Sequence, residues 1–128
     1  MISLPRELDY RNGLMLHAIV RSVYPHDFAS VDDFISFVPP DVTVHYGWIV
    51  LVIGTDETDP EYFQCLVSTP LALEEALCRS KDCLVHIVER YEPANILSTL
   101  IARVENSKGN TWIEIVDQLR TFMRWERG

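Results

Sequence analysis

Residues 48–73 read WIVLVIGTDETDPEYFQCLVSTPLAL, and the reading of this stretch decides the fold. An apolar, β-branched run ends at Gly54, and a polar, acidic connection follows through Glu61. A second apolar run then begins at Tyr62. Turn chemistry between two strand-like runs predicts an antiparallel hairpin, longer than the tight two-residue form. Along Tyr62–Ser68, a two-residue period places Phe63, Cys65 and Val67 on one face and Tyr62, Gln64 and Leu66 on the other. The strand stops at Ser68-Thr69-Pro70 and becomes helical with almost no connecting loop. The Thr69 hydroxyl is expected to accept an orphan helix N–H, and Pro70 suits a first helical position because it has no N–H to leave unpaired.

The same reading extends in both directions. The first hairpin strand runs back to Val42, and Gly47 in its middle suggests a bulge or bend. Leu14–Val23 reads as another strand. Ser30, followed by Asp32 and Asp33, resembles a helix start and predicts a short helix over Val31–Phe37 that Pro39-Pro40 terminates. Downstream of the hairpin, a short helix spans Pro70–Arg79 and a strand returns over Cys83–Glu89. Pro93–Asn106 carries Ile96, Leu97, Leu100, Ile101 and Val104 at helical spacing. Thr111 and Glu114 fit a capping box, each satisfying the other's backbone donor. The helix they open carries Trp112, Ile115, Val116, Leu119, Phe122 and Met123 as its apolar stripe. The order predicts an α+β fold: a small, mainly antiparallel sheet with helices packed on one face, two of them C-terminal. Trp112 and Trp125 belong to the core in this reading.

The chain has 128 residues, 48% hydrophobic and 23% charged. That suits one ordered domain over residues 1–128, with its core at about 14–126, since domains run to about 100–200 residues. No apolar stretch reaches the ~18 residues of a membrane span, and the N-terminus lacks a secretion-signal layout. The expectation is a cytoplasmic protein with no membrane partner. Cys65, Cys78 and Cys83 make an odd set without a CxxC, and the four histidines are scattered, so zinc is not expected. Reduced thiols are the simplest reading, although a Cys78–Cys83 bridge across the helix-to-strand turn is conceivable.

The net charge of −8 is unevenly placed. Residues 1–78 hold twelve acids against three arginines, whereas residues 79–128 hold seven acids against eight bases. Such a chain is not drawn to nucleic acid, whose binding rests on phosphate neutralisation. It is suited to a basic protein. The alternative is that acidic surfaces only keep the protein soluble.

Catalytic signatures are missing from the sequence. The five glycines never cluster into a phosphate loop, and no nucleophile elbow occurs. Cys83 and His86 would face opposite sides of a strand. The acids of the hairpin, Asp56, Glu57, Asp59 and Glu61, with Asp32, Asp33, Glu74 and Glu75, form the one constellation worth weighing. A hydrolytic Mg²⁺ or Mn²⁺ site on Asp56, Asp59 and Glu61 is one reading, but the spacing fails the calcium-loop pattern. No cofactor is expected. Solvated turn acids, or a face for a basic protein, account for the same residues.

Several of these residues carry a family resemblance. A strand ends in Ile53-Gly54, an acidic hairpin follows, and Phe63 enters the next strand. That strand runs through the Thr69-Pro70 joint into a helix bearing Leu73. Trp112 opens the last helix after a glycine-containing turn, and Trp125-Glu126 lies near the end. In this order and spacing, the chain resembles the immunity protein 8 family of bacterial polymorphic toxin and contact-dependent inhibition systems over residues 14–126. The resemblance implies an α+β fold and a non-catalytic protein that binds and neutralises a cognate toxin C-terminal domain. Such toxins are often basic nucleases, which joins the family reading to the charge. The expected docking residues are Asp56, Glu57, Asp59, Glu61, Tyr62, Asp32, Asp33, Glu74 and Glu75, on segments sharing one edge of the sheet. Tyr46 and Trp48 are further aromatic anchors. A small acidic regulatory or adaptor module for another basic protein is the alternative.

Overall fold

The predicted hairpin is the centre of the structure, a computed structural model that describes residues 15–80, 82 and 84–127. Strand β3 (Tyr46–Gly54) pairs antiparallel with β4 (Glu61–Ser68) in one unbroken register, from Tyr46 opposite Ser68 to Ile53 opposite Glu61. The turn is held by Thr55, buried beneath it. Its hydroxyl accepts from the N–H of Glu57 and of Thr58, each at 3.1 Å. A side chain at Gly54 would meet the Thr58 carbonyl oxygen at 3.0 Å and Pro60 Cα at 3.1 Å, so the close turn requires glycine there.

Two short strands and one longer strand complete the sheet. Strand β2 (Ile19–Pro25) lies antiparallel on the far side of β3. On β4's other edge, β5 (His86–Ile87) pairs parallel with Val67 and Ser68, and β7 (Arg124–Trp125) pairs antiparallel with Phe63 and Gln64. A separate two-stranded ladder joins β1 (Leu16–His17) to β6 (Lys108–Gly109). The helices are α1 (Val31–Ser36), α2 (Leu73–Leu77, entered through a 3-10 turn at Pro70–Ala72), α3 (Pro93–Glu105) and α4 (Trp112–Leu119).

The core lies on one face of the sheet. Ile49, Leu51, Ile53, Phe63, Cys65 and Val67 pack there against Phe34 of α1, Ile96, Leu100 and Val104 of α3, and Ile115 and Leu119 of α4. The architecture is the expected α+β class. Helix α2 adds nothing to this cluster; it crosses the start of β3 and the end of β4. An aromatic cluster of Phe28, Phe34, Phe37, His45 and Tyr91 closes the end of the core nearest Tyr46.

Several local expectations need correction. Gly47 is no bulge: it sits in regular register opposite Val67, and its missing side chain makes room for the Tyr91 hydroxyl, 3.0 Å from where a Cβ would stand. The irregularity lies in β2 instead, between Val20 and Ser22. Residues 42–45 are not strand, because the Asp41 carboxylate accepts from the Thr43 N–H and hydroxyl and turns the chain. Thr69 does not cap the following helix. It extends the hairpin ladder by one step, its N–H donating to the His45 carbonyl while its hydroxyl accepts from the His45 N–H at 3.1 Å.

The expected capping box at Thr111 closes on one side only. Thr111 accepts from the Glu114 N–H, but the Glu114 carboxylate accepts from Asn110 N–H. The last helix ends at Leu119, so Phe122 and Met123 reach the core from the turn beyond it. Of the return strand expected over Cys83–Glu89, the described residues form strand at His86–Ile87. Cys83 lies outside the described residues, and with it the pairings proposed for it.

Candidate functional site

The alternation that buries one face of the sheet presents the other. On this reverse face stand Tyr46, Trp48, Val50 and Val52 of β3, Ser22 and Tyr24 of β2, and Tyr62, Gln64 and Leu66 of β4. Leu66 and Val52 are buried, but Tyr24 is 53% exposed and Tyr62 51%. These two rings lie parallel across β3, within 8° and with centroids 6.5 Å apart. Helix α2 covers only the Tyr46 end, where the Tyr46 hydroxyl donates to Glu75 Oε2 at 3.1 Å. Burial raises the Tyr46 pKa, and the Glu75 carboxylate adds to the rise.

Two hollows flank Trp48 along this face. The larger, about 730 Å³, opens between α2 and the start of β3, with Asp27, Glu74 and Glu75 among its lining residues. The smaller, about 170 Å³, is lined by His26, Trp48, Val50 and Gln64. His45 lies between the larger hollow and the aromatic cluster, and burial there lowers its pKa against the opposing pull of Asp27.

The predicted acids do not share one edge. Asp56, Glu57 and Asp59 are exposed at the hairpin tip, while Glu74 and Glu75 are exposed at the opposite end of the sheet. The length of β3 separates the two groups, about 26 Å at ~3.3 Å per residue. Tyr62 stands between them on the reverse face. Asp32 and Asp33 belong to α1, which packs on the helix side through Phe34.

Glu61 has a different setting from the other hairpin acids. It follows the Phe63 side of β4, and its carboxylate accepts from Trp125 Nε1–H at 2.7 Å, Trp112 Nε1–H at 3.2 Å and Arg127 at 3.2 Å. Its side chain is only 16% exposed. Phe63 lies between the same two indoles, edge-on to Trp112 and parallel to Trp125. The trio proposed for a metal is therefore not assembled, since Glu61 is engaged on the helix side. Among the described residues, no three His, Cys, Asp or Glu side chains form a metal-holding group.

Sequence reasoning identified Tyr62, Tyr46 and Trp48 but missed Tyr24 and Asp27. Tyr24 lies beyond Val23, where the sequence reading ended the first strand, whereas β2 continues to Pro25.

A small α+β protein with α1, α3 and α4 over one sheet face and half-exposed aromatic side chains on the other has the build of a binding protein. The comparisons define it further. The chain belongs to the immunity protein 8 family, whose model matches residues 21–127. Membership makes it an immunity protein, with a toxin as its partner. No curated protein and no solved structure matched the chain. Among the described residues, no helix is long and apolar enough to cross a membrane.

Proposed function

We propose that this immunity protein neutralises a basic, nuclease-type toxin domain by docking it on the reverse face of the sheet. The observation that carries the reading is the stacked, half-exposed Tyr24–Tyr62 pair on the part of the face that α2 leaves open, with acids at both ends. Tyrosine and tryptophan are enriched among residues that dominate binding energy, and Tyr24, Tyr62 and Trp48 supply three. A nuclease carries cationic side chains where it holds phosphates. Asp56, Glu57 and Asp59 at one end, and Glu74 and Glu75 at the other, would meet that charge and speed association. Asp32 and Asp33 lie outside this docking face, and Glu61 lies behind it. Binding acts by occupancy, without catalysis or cofactor, in the cytoplasm.

The test is calorimetry of the full chain with the toxin domain encoded beside it, at low and high salt. Tyr62→Ala should weaken binding about 30-fold, the effect of losing a ~2 kcal/mol anchor. Neutralising Asp56, Glu57 and Asp59 together should slow association and flatten the salt dependence. Tight binding unaffected by these changes would move the interface elsewhere. Absence of binding would favour an adaptor role with another basic protein.

A further inference from the structure

The larger hollow beside Trp48 has a composition that selects its occupant. Its walls are apolar and aromatic: Trp48 and Tyr46 from β3, Leu71 from the turn before α2, and Val44 from the loop before β3. Leu71 is 72% exposed and Val44 46%. Three carboxylates stand among these walls on two separate segments: Asp27 after β2, and Glu74 and Glu75 on α2. Among the described residues, no lysine or arginine lines the hollow, and Arg79 lies near the Tyr46 hydroxyl at its rim. Tyr46 is fixed by its bond to Glu75, so one wall is set before any partner arrives.

An apolar cleft alone would suit any hydrophobic side chain, and carboxylates alone would suit any cation. The combination is narrower. A guanidinium presents a flat face that stacks on an indole or phenol ring, and its edge donates in a fork to carboxylates. An ammonium is compact and strongly hydrated, and gains less from an aromatic wall. At about 730 Å³ the hollow also admits residues flanking the inserted side chain.

We infer that this cleft, between α2 and the start of β3, is a socket for an arginine side chain of the partner protein. The inference rests on the docking face proposed above and names the group that enters it. The guanidinium stacks on Trp48 or Tyr46, its donors meet Glu74, Glu75 and Asp27, and its methylenes cover Leu71.

The socket can be tested without the toxin. The isotopically labelled full chain is titrated with blocked arginine (N-acetyl-arginine amide), blocked lysine and blocked citrulline, following backbone and indole N–H resonances. Blocked arginine should shift Trp48, Tyr46, Leu71 and Glu75 with one common midpoint in the millimolar range. Lysine should bind at least threefold more weakly, and citrulline, which has the same shape without charge, should leave these signals in place. Glu74→Gln with Glu75→Gln should weaken arginine at least threefold, in a variant whose remaining spectrum is unchanged. Equal shifts from citrulline and arginine would overturn the inference in favour of an apolar occupant. Shifts at Asp56–Asp59 with the same midpoint as Trp48 would reduce the effect to general charge attraction and overturn it too. Calorimetry with the toxin domain separates the two proposals. Toxin binding with no arginine response removes the socket alone, whereas an arginine response without toxin binding removes the docking reading and keeps the socket.

Discussion

Replacing Glu61 with alanine removes one carboxylate and strands two indole donors. Trp125 Nε1–H, at 2.7 Å, and Trp112 Nε1–H, at 3.2 Å, both end on this side chain, with Arg127 as a third donor. A hydrogen bond to a charged acceptor contributes about 1.5–3 kcal/mol. Both indoles are half-buried, so water recovers part of that loss, and the Arg127 pair is too exposed to add much. The expected cost of Glu61→Ala is about 2–3 kcal/mol. At ~4 °C per kcal/mol for a domain of this size, Tm should fall by roughly 8–12 °C. Glu61→Gln keeps one acceptor oxygen and should cost about half as much. Urea unfolding followed by far-UV circular dichroism measures both without relying on the altered tryptophans. A cycle with Trp125→Phe isolates the shorter bond and should give a coupling of about 1 kcal/mol or more. A Glu61→Ala variant within about 0.5 kcal/mol of the parent, as an ordinary surface site would be, refutes the reasoning.

Three further outcomes follow from other parts of the molecule. Thr69→Val removes the hydroxyl that accepts from the His45 N–H and should cost about 1–3 kcal/mol, while Thr69→Ser should cost far less; equal effects in thermal melts would discard the ladder role. Burial lowers the pKa of His45 and, with help from Arg103, of His86, so the unfolded chain binds more protons than the folded one just below the usual histidine pKa of 6.5. Their stability contribution is therefore complete above pH 6.5 and declines as pH falls through the window down to the lowered values. Tm should drop from pH 7 to pH 5.5, and His45→Gln with His86→Gln should flatten that slope; an unchanged slope assigns it to other groups. Burial pushes the Cys65 thiol up to about 12, whereas Cys78 is exposed. Alkylation of the native protein at pH 8, mapped by mass spectrometry, should therefore label Cys78 and reach Cys65 only after unfolding.

How much of this was readable beforehand depends on how local each signal is. The hairpin was legible because two apolar runs and a glycine-bounded acidic turn lie next to one another. The caps at Ser30 and Thr111 and the stripe of α3 were legible for the same reason. What escaped depends on partners distant in sequence. Thr69 looks like a helix cap until His45 is known to lie beside it. Glu61 looks like one more turn acid until Trp112 and Trp125 arrive from 51 and 64 residues away. Those tryptophans were read as core, and they do pack against it, yet their indole nitrogens mark the acid that differs from its neighbours. The face proposed for docking was half legible. Alternation along β3 and β4 picks out Tyr46, Trp48 and Tyr62, but Tyr24 falls past Val23, where the expected strand stopped short of the end of β2.

The two short strands on β4 also set an order of assembly. Strands β3 and β4 can zip together across their short turn, a route of low loop-closure entropy, and β2 joins them through the connection that carries α1. The Phe63 end of β4 waits for β7, and β1 waits for β6, with the Val20 N–H meeting the Glu105 carboxylate across 85 residues. Until those late closures, a nascent or refolding chain presents an apolar strand edge able to pair with another copy. Aggregation on refolding should therefore be governed by the β7 segment, and substitutions that weaken it should lower the yield of folded protein more than they lower the stability of molecules already folded.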